Sequence, residues 1–387
     1  VPADQFTVVG KIILVILIQI GGLGIIACIS AFYLMLGKRI SMKRRITIQQ
    51  AYGLDTLSGM VKFVIRILKG TFLVEGIGAV LFAFKFIPEY GVVTGIGYSI
   101  FHSVSAFCNA GIDIIGSTSF QQYALSPLIN FTTMFLIVMG GLGFPVWHDI
   151  AANVRKIGKE RKRPLKWLFT RLTLQSRIVI IMTASLILFG TLCFFIIEFE
   201  NPATMKDMNV FQKIMASMFQ SVTTRTAGYA TVSQAGLEES SKLIGCILMF
   251  VGGSPAGTAG GIKTTTAAML ILTVLCVLRN RRDTECFDRK IATDSIKSGV
   301  TIALITFFVL FAGIMALTVF EPGVDVLDLM YEAASAMGTV GLSADLTPNL
   351  TRASHIVLML MMYIGRIGPL TMALVIAGKS DKSSQFR

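Results

Sequence analysis

Three short stretches end in glycine after a small residue or valine: NAG at 109–111, TAG at 226–228 and TVG at 339–341. Each closes a segment that is apolar yet too short or too polar to cross a membrane. Backbone carbonyls in such a loop can take the place of the water around a cation. Glycine suits the unusual dihedrals of an extended loop, which a side chain would obstruct. One such glycine alone reads as a plain turn; three in register point to a shared role.

A fourth stretch, VGGSPAGTAGGIKTTT at 251–266, looks at first like a phosphate-binding loop. That chemistry needs glycine directly before the lysine, so that backbone amides and the ammonium converge on one phosphate. Here Ile262 precedes Lys263, and the flanks LIGCILMF (243–250) and AAMLILTVLCVL (267–278) are apolar rather than a strand and a soluble helix. The stretch is instead a break in a membrane helix. Glycine costs about 1 kcal/mol and proline about 3 kcal/mol at a helical position relative to alanine, and five glycines with Pro255 fall between 252 and 261.

The composition defines the solvent these elements must meet. Of the 387 residues, 53% are hydrophobic and 15% charged, against about 25% charged in soluble domains. An integral membrane protein follows. The net charge of +13 marks cytoplasmic loops rather than a nucleic-acid surface. Six cysteines without a CxxC pair read as reduced thiols, most of them buried, and three scattered histidines offer no metal spacing. No Ser/His/Asp arrangement for enzymatic chemistry is present.

About 20 apolar residues span a bilayer, and seven runs qualify: 11–36, 61–86, 124–147, 177–198, 241–278, 299–320 and 352–377. The basic loops 38–45, 155–166 and 279–290 alternate with the acidic or mixed loops 198–207 and 321–328, which places the basic set in the cytoplasm. The chain then starts outside and ends inside. Three further segments, 96–110, 209–227 and 325–340, fall on the outer side and are expected to enter the membrane and turn back. Such backbone is tolerated only where protein or a wet cavity receives it.

The pattern repeats. IQIGGLG (18–24), IVMGGLG (137–143), MFVGGSP (249–255) and MYIGRIG (362–368) are four versions of one motif, most simply read as a packing site where small residues let helices approach. Gly111 to Gly140 is 29 residues, and Gly228 to Gly252 and Gly341 to Gly365 are each 24. The expected all-α fold is a four-repeat membrane channel of outer helix, pore loop and inner helix. Residues 1–50 hold the inner-helix half of the first repeat and a cytoplasmic loop, 51–165 the second, 166–290 the third with its broken helix, and 291–387 the fourth. The first loop is expected to precede Val1.

In these motifs and their order the sequence resembles, over essentially its whole length, the family of KtrB, TrkH and the plant HKT transporters, with KtrB the nearer type. The resemblance implies uptake of potassium, with sodium or sodium/potassium transport as the alternative, and no covalently bound cofactor. It also implies a homodimer on a cytosolic ring of nucleotide-binding regulatory subunits, within the lipid bilayer and without nucleic acid. The filter positions carry over to Asn109, Ala110 and Gly111; Thr226, Ala227 and Gly228; and Thr339, Val340 and Gly341. The gate carries over to Gly252, Gly253, Ser254, Pro255, Ala256, Gly257, Thr258, Ala259, Gly260 and Gly261, with Arg366 below the filter. An intramembrane arginine is costly and by default functional; the alternative is a structural pair with a buried acid. Glu75 is expected to pair helix with helix, and the loop at 252–261 to be loosely held. A secondary carrier of an organic substrate, the other transport class, would call for inverted repeats, whereas these repeats share one direction.

Overall fold

The computed structural model describes residues 6–24, 28–29, 60–116, 118–159, 169–280, 283–287 and 289–368. The basic loop 38–45, the second half of 155–166 and residues 369–377 of the last expected span lie outside the described residues.

The described elements repeat one order. After α1 (Val8–Leu23) comes a long helix, α2 (Met60–Tyr90), a short one, α3 (Val92–Phe107), then α4 (Pro127–Gly141) and α5 (Phe144–Lys159). The order recurs as α6 (Leu174–Ile197), α7 (Val210–Thr223), α8 (Glu239–Phe250) and α9 (Thr264–Leu278), and again as α10 (Thr293–Phe320), α11 (Val326–Gly338) and α12 (Arg352–Ile367). Two-residue strands, Glu285–Cys286 and Arg289–Lys290, pair between α9 and α10.

Length sets three helices apart from the rest. The stretch Phe63–Tyr90 of α2, and the whole of α6 and α10, have 28, 24 and 28 residues and are apolar enough to cross a membrane. At 1.5 Å per residue each exceeds the roughly 30 Å hydrocarbon core. The short helices α3, α7 and α11, with 16, 14 and 13 residues, reach only about 20–24 Å. Local sequence sets their ends. Asn209 and Gln212 form a capping box that starts α7, and Asp325 caps α11 by accepting from Leu327 N. Gly91, at φ +82°, reverses the chain between α2 and α3.

Packing is inverted relative to a soluble protein. Phe84, Leu188, Ile196, Phe308 and Val319 are exposed on the long helices, while Ser99, Ser103, Ser105, Ser217, Ser221 and Thr223 are buried on the short ones. A surface this apolar is stable only against lipid. The polar interior belongs to the short helices and their loops.

Two expectations need correction. The run 124–147 is not one smooth span: α4 and α5 meet at a 98° bend. The break is also not confined to the third inner helix. The helices carrying the four related motifs end at Leu23, Gly141, Phe250 and Ile367. Gly24, Gly143 and Gly368, at one register position in three of the motifs, have φ of +84°, +88° and +95°. This conformation ends a right-handed helix and favours glycine.

Candidate functional site

The three glycine loops follow the C-termini of α3, α7 and α11 and share a backbone path. Asn109, Thr226 and Thr339 have φ of +52°, +72° and +54°, and Gly111, Gly228 and Gly341 have +63°, +87° and +92°. The left-handed region is uncommon for residues other than glycine, and strain of this kind persists only where the surroundings impose it. They do so here through matching bonds. Ala110 N donates to Ser105 O at 2.9 Å and Val340 N to Ser335 O at 2.8 Å.

The loops converge. A Cβ built on Gly111 would lie 2.3 Å from Ala227 O and 2.6 Å from Gly228 Cα; one built on Gly228 would lie 2.3 Å from Val340 O and 3.3 Å from Gly111 Cα. Gly341 has Gly228 Cα as its nearest such neighbour, at 3.8 Å. The middle carbonyls of two loops thus face the glycine of the next. Among the described residues, Asn109 Oδ1 and Nδ2 and Thr226 Oγ1 are buried without a hydrogen-bond partner. Helix C-termini are partially negative, so three of them ending here favour positive charge.

Side chains that the sequence reading passed over hold these loops. His102 of α3 bonds Asp113 beyond the first loop through Nε2 at 2.8 Å, and Asp113 accepts from Ile115 N and Gly116 N at 2.9 and 3.1 Å. At the corresponding place in α11, Glu332 accepts from Ser343 Oγ, from Ala344 N at 3.1 Å and from Thr347 Oγ1 at 2.9 Å. In the third repeat Gln220 and Gln234 exchange amide bonds at 2.7 and 3.1 Å. Loops are also tied to each other: Tyr229 Oη donates to Ile112 O at 3.1 Å and Tyr331 Oη to Gln234 Oε1 at 2.7 Å. Arg225, buried directly before Thr226, donates to Thr183 Oγ1 at 3.5 Å, and its Nε has no partner among the described residues. An arginine within the apolar segment 209–227 was the signal that could have flagged it.

Residues 252–261 form no helix; α8 stops at Phe250 and α9 starts at Thr264. Crowding explains the glycines. A Cβ on Gly252 would sit 2.0 Å from Gly260 O, one on Gly253 2.3 Å from Ala259 Cβ, and one on Gly260 2.1 Å from Thr339 Oγ1. That last contact sets the stretch against the first residue of the TVG loop.

The expectation of a loosely held loop does not survive. Ser254 N donates to Gly141 O at 2.9 Å, Thr258 N to Gly140 O at 3.1 Å, and Phe144 N returns a bond to Ala256 O at 3.1 Å. Thr258 Oγ1 donates to Phe107 O at 3.1 Å. Internally, Ser254 and Thr264 share a hydroxyl bond at 2.9 Å, and Lys263 Nζ donates to Ala259 O at 2.8 Å. Freed backbone groups thus find protein partners, as the bilayer demands. Pro255, Ala256, Gly257 and Gly261 are only half-buried.

Among the described residues Arg366 pairs with no acid. Its Nη1 donates to Thr258 O at 2.7 Å and its Nη2 to Gly21 O at 2.6 Å. Glu75 does join helix to helix, accepting from Gln19 Nε2 of α1 at 3.3 Å. The motif glycines pack as small residues do, but against the short helices: a Cβ on Gly140 would meet Phe107 O at 1.9 Å and one on Gly365 Met337 O at 2.0 Å.

Long apolar helices around short ones, whose loops meet at a point that favours cations, define a multi-pass membrane transport protein rather than an enzyme. The TrkH family profile, described as a cation transport protein, matches residues 2–386, and the chain belongs to that family. It is 34% identical over 380 residues to the Ktr system potassium uptake protein B of Bacillus subtilis, an alignment covering 98% of this chain and 82% of that one. It is equally 34% identical over 386 residues to the potassium/sodium uptake protein NtpJ of Enterococcus hirae, with the same coverage. Among solved structures, the potassium transporter TrkH of Vibrio parahaemolyticus shares the fold, with a TM-score of 0.71 at 17% identity, over 97% of this chain and 74% of that one.

Proposed function

We propose that this chain is the potassium-translocating membrane subunit of an uptake system, and that Asn109–Gly111, Thr226–Gly228 and Thr339–Gly341 are three segments of its selectivity filter. The observation that carries this reading is the convergence of Gly111, Gly228 and Gly341, with the carbonyls of Ala227 and Val340 directed at the neighbouring loops. The kinship with two potassium uptake proteins supports potassium as the cargo. The Enterococcus relative, which carries sodium in its name, supports sodium as a second ion.

In this reading the cation replaces its water with carbonyl oxygens and is held by the ends of the three short helices. Residues 252–261 with Arg366 form the gate beneath the filter. The basic loops face the cytoplasm, where a nucleotide-binding regulatory ring docks on a homodimer. Proteoliposomes containing the purified chain test the function. Rubidium uptake that potassium competes out more strongly than sodium is the expected result. Equal competition by both ions removes potassium selectivity, and no ion-dependent uptake removes the reading.

A further inference from the structure

A groove of about 420 Å³ lies between the beginning of α2 and α5, the helix that follows the bend, within the usual range of about 300–1,000 Å³ for ligand pockets. Its floor is apolar and includes the buried Phe63 and Ile67. Trp147 joins them, turned so that Nε1 donates to Met139 O at 3.0 Å. Its rim carries Arg66, Lys69 and Arg155, all exposed.

Among the described residues no carboxylate pairs with any of these three cations. Arg66 Nη1 instead donates to His148 Nε2 at 2.6 Å, which requires a neutral ring nitrogen. The acid beside His148, Asp149, is already engaged: it accepts from Thr173 N and Thr173 Oγ1 at 2.8 and 2.9 Å and from Asn153 Nδ2 at 3.0 Å. Among the described residues, three cations without an acidic partner therefore stand over an apolar floor at one end of a long apolar helix.

We propose that this groove holds an anionic phospholipid, its phosphate against Arg66, Lys69 and Arg155 and the start of one acyl chain along Phe63 and Trp147. Basic pockets between membrane helices recognise anionic headgroups in this way, at about 1 kcal/mol per Lys or Arg near the surface, and tryptophan favours the same depth. A free anion has no use for the apolar floor. A soluble acidic peptide does not fit a groove whose outer edge is Leu73, 64% exposed on a membrane-crossing helix. The cytoplasmic leaflet follows from the orientation proposed above; the binding does not depend on it.

The test is native mass spectrometry of the full chain in non-ionic detergent, with phosphatidylglycerol and phosphatidylcholine added in equal amounts. The parent is expected to retain phosphatidylglycerol at least about tenfold better. Combined Arg66→Gln, Lys69→Gln and Arg155→Gln should abolish that preference, and Arg66→Lys with Arg155→Lys should keep it; all three side chains are exposed, and size-exclusion profiles check folding. Equal retention of both lipids by the parent overturns the proposal, as does an unchanged preference in the Gln variant. Displacement of the lipid by inorganic phosphate at matched concentration overturns it in favour of a simple anion site. A disulfide between two copies of an Ala152→Cys variant that blocks lipid retention overturns it in favour of a protein interface.

Discussion

Arg366 donates Nη1 to the carbonyl oxygen of Thr258 at 2.7 Å, across 108 residues of chain, and so joins the last inner helix to the middle of the glycine-rich stretch. The same guanidinium reaches Gly21 O in α1. A fork that bridges two elements is a brace as well as a charge, and lysine, a point donor on a flexible stem, reproduces only the charge. Hydrogen bonds to charged groups contribute about 1.5–3 kcal/mol each. Arg366→Ala is expected to raise regulator-free ion flux per folded molecule at least about tenfold, measured in proteoliposomes at matched protein levels. Arg366→Lys should recover little of the block if bridging matters. Full recovery by lysine would show that charge alone obstructs the pore.

In the proposed gate, opening the 252–261 stretch breaks its bonds to Gly140, Gly141, Phe144, Phe107 and Arg366. At about 1 kcal/mol net for each neutral bond, these bonds favour the observed arrangement by several kcal/mol, and under the proposed gating a partner opens it by binding the open form more tightly. Thr258→Val keeps the shape and removes the bond to Phe107 O. Losing about 1 kcal/mol should raise basal flux about fivefold. Deleting residues 253–260 should raise it further. A deletion protein that folds and assembles yet conducts no faster than the parent would make the stretch a static kink.

The glycine loops differ in how much room they leave. Serine at Gly111 or Gly228 drives Cβ into a carbonyl oxygen at 2.3 Å, whereas at Gly341 the nearest atom is at 3.8 Å. All three positions have positive φ, so each substitution is strained. Gly341→Ser is expected to assemble best and to lose potassium-over-sodium preference, read as relative competition for rubidium uptake. Gly111→Ser and Gly228→Ser should lower the yield of folded protein as well. Unchanged ion preference in all three would remove these residues from the filter.

Glu321, just beyond α10, accepts from Ser354 Oγ at 2.6 Å and Thr351 N at 2.7 Å at the start of α12. The Ser354 hydroxyl and then the Thr351 amide hold its carboxyl below the ordinary value. A carboxylate whose folded pKa is depressed stabilises the fold above its unfolded pKa, about 4.3, and loses that contribution as pH falls through the folded value. Melting temperatures in detergent should therefore show Glu321→Gln less stable than the parent at pH 7. The gap should narrow below about pH 4. A gap independent of pH would assign the loss to packing.

The short helices that close on glycine loops were legible because their signals are local: glycine spacing and three apolar segments too short to span. The break at 252–261 was legible for the same reason, since helix propensity counts against five glycines and a proline. The bend at Gly143 was not, because GGLG is equally compatible with close helix packing. Only the positive φ and the crowding at Gly140 distinguish the two roles, and both are tertiary facts. His102 was set aside for want of metal spacing, and its partner Asp113 becomes meaningful only once α3 and the following loop fold together. The tethering of the glycine stretch was invisible for a similar reason: its acceptors, Phe107, Gly140 and Gly141, belong to another repeat.

The bend between α4 and α5 has a mechanical consequence. A Cβ on Gly143 would sit 2.4 Å from Pro255 O, and Phe144 N is bonded to Ala256 O. The fulcrum of a 16-residue arm, about 24 Å long, is thus in direct contact with the glycine stretch. A torque applied to the far end of α5 arrives at Pro255 as a push or a pull with the advantage of that length. Arm and stretch meet at one joint, so the tightly bonded segment need not itself be soft to follow the arm.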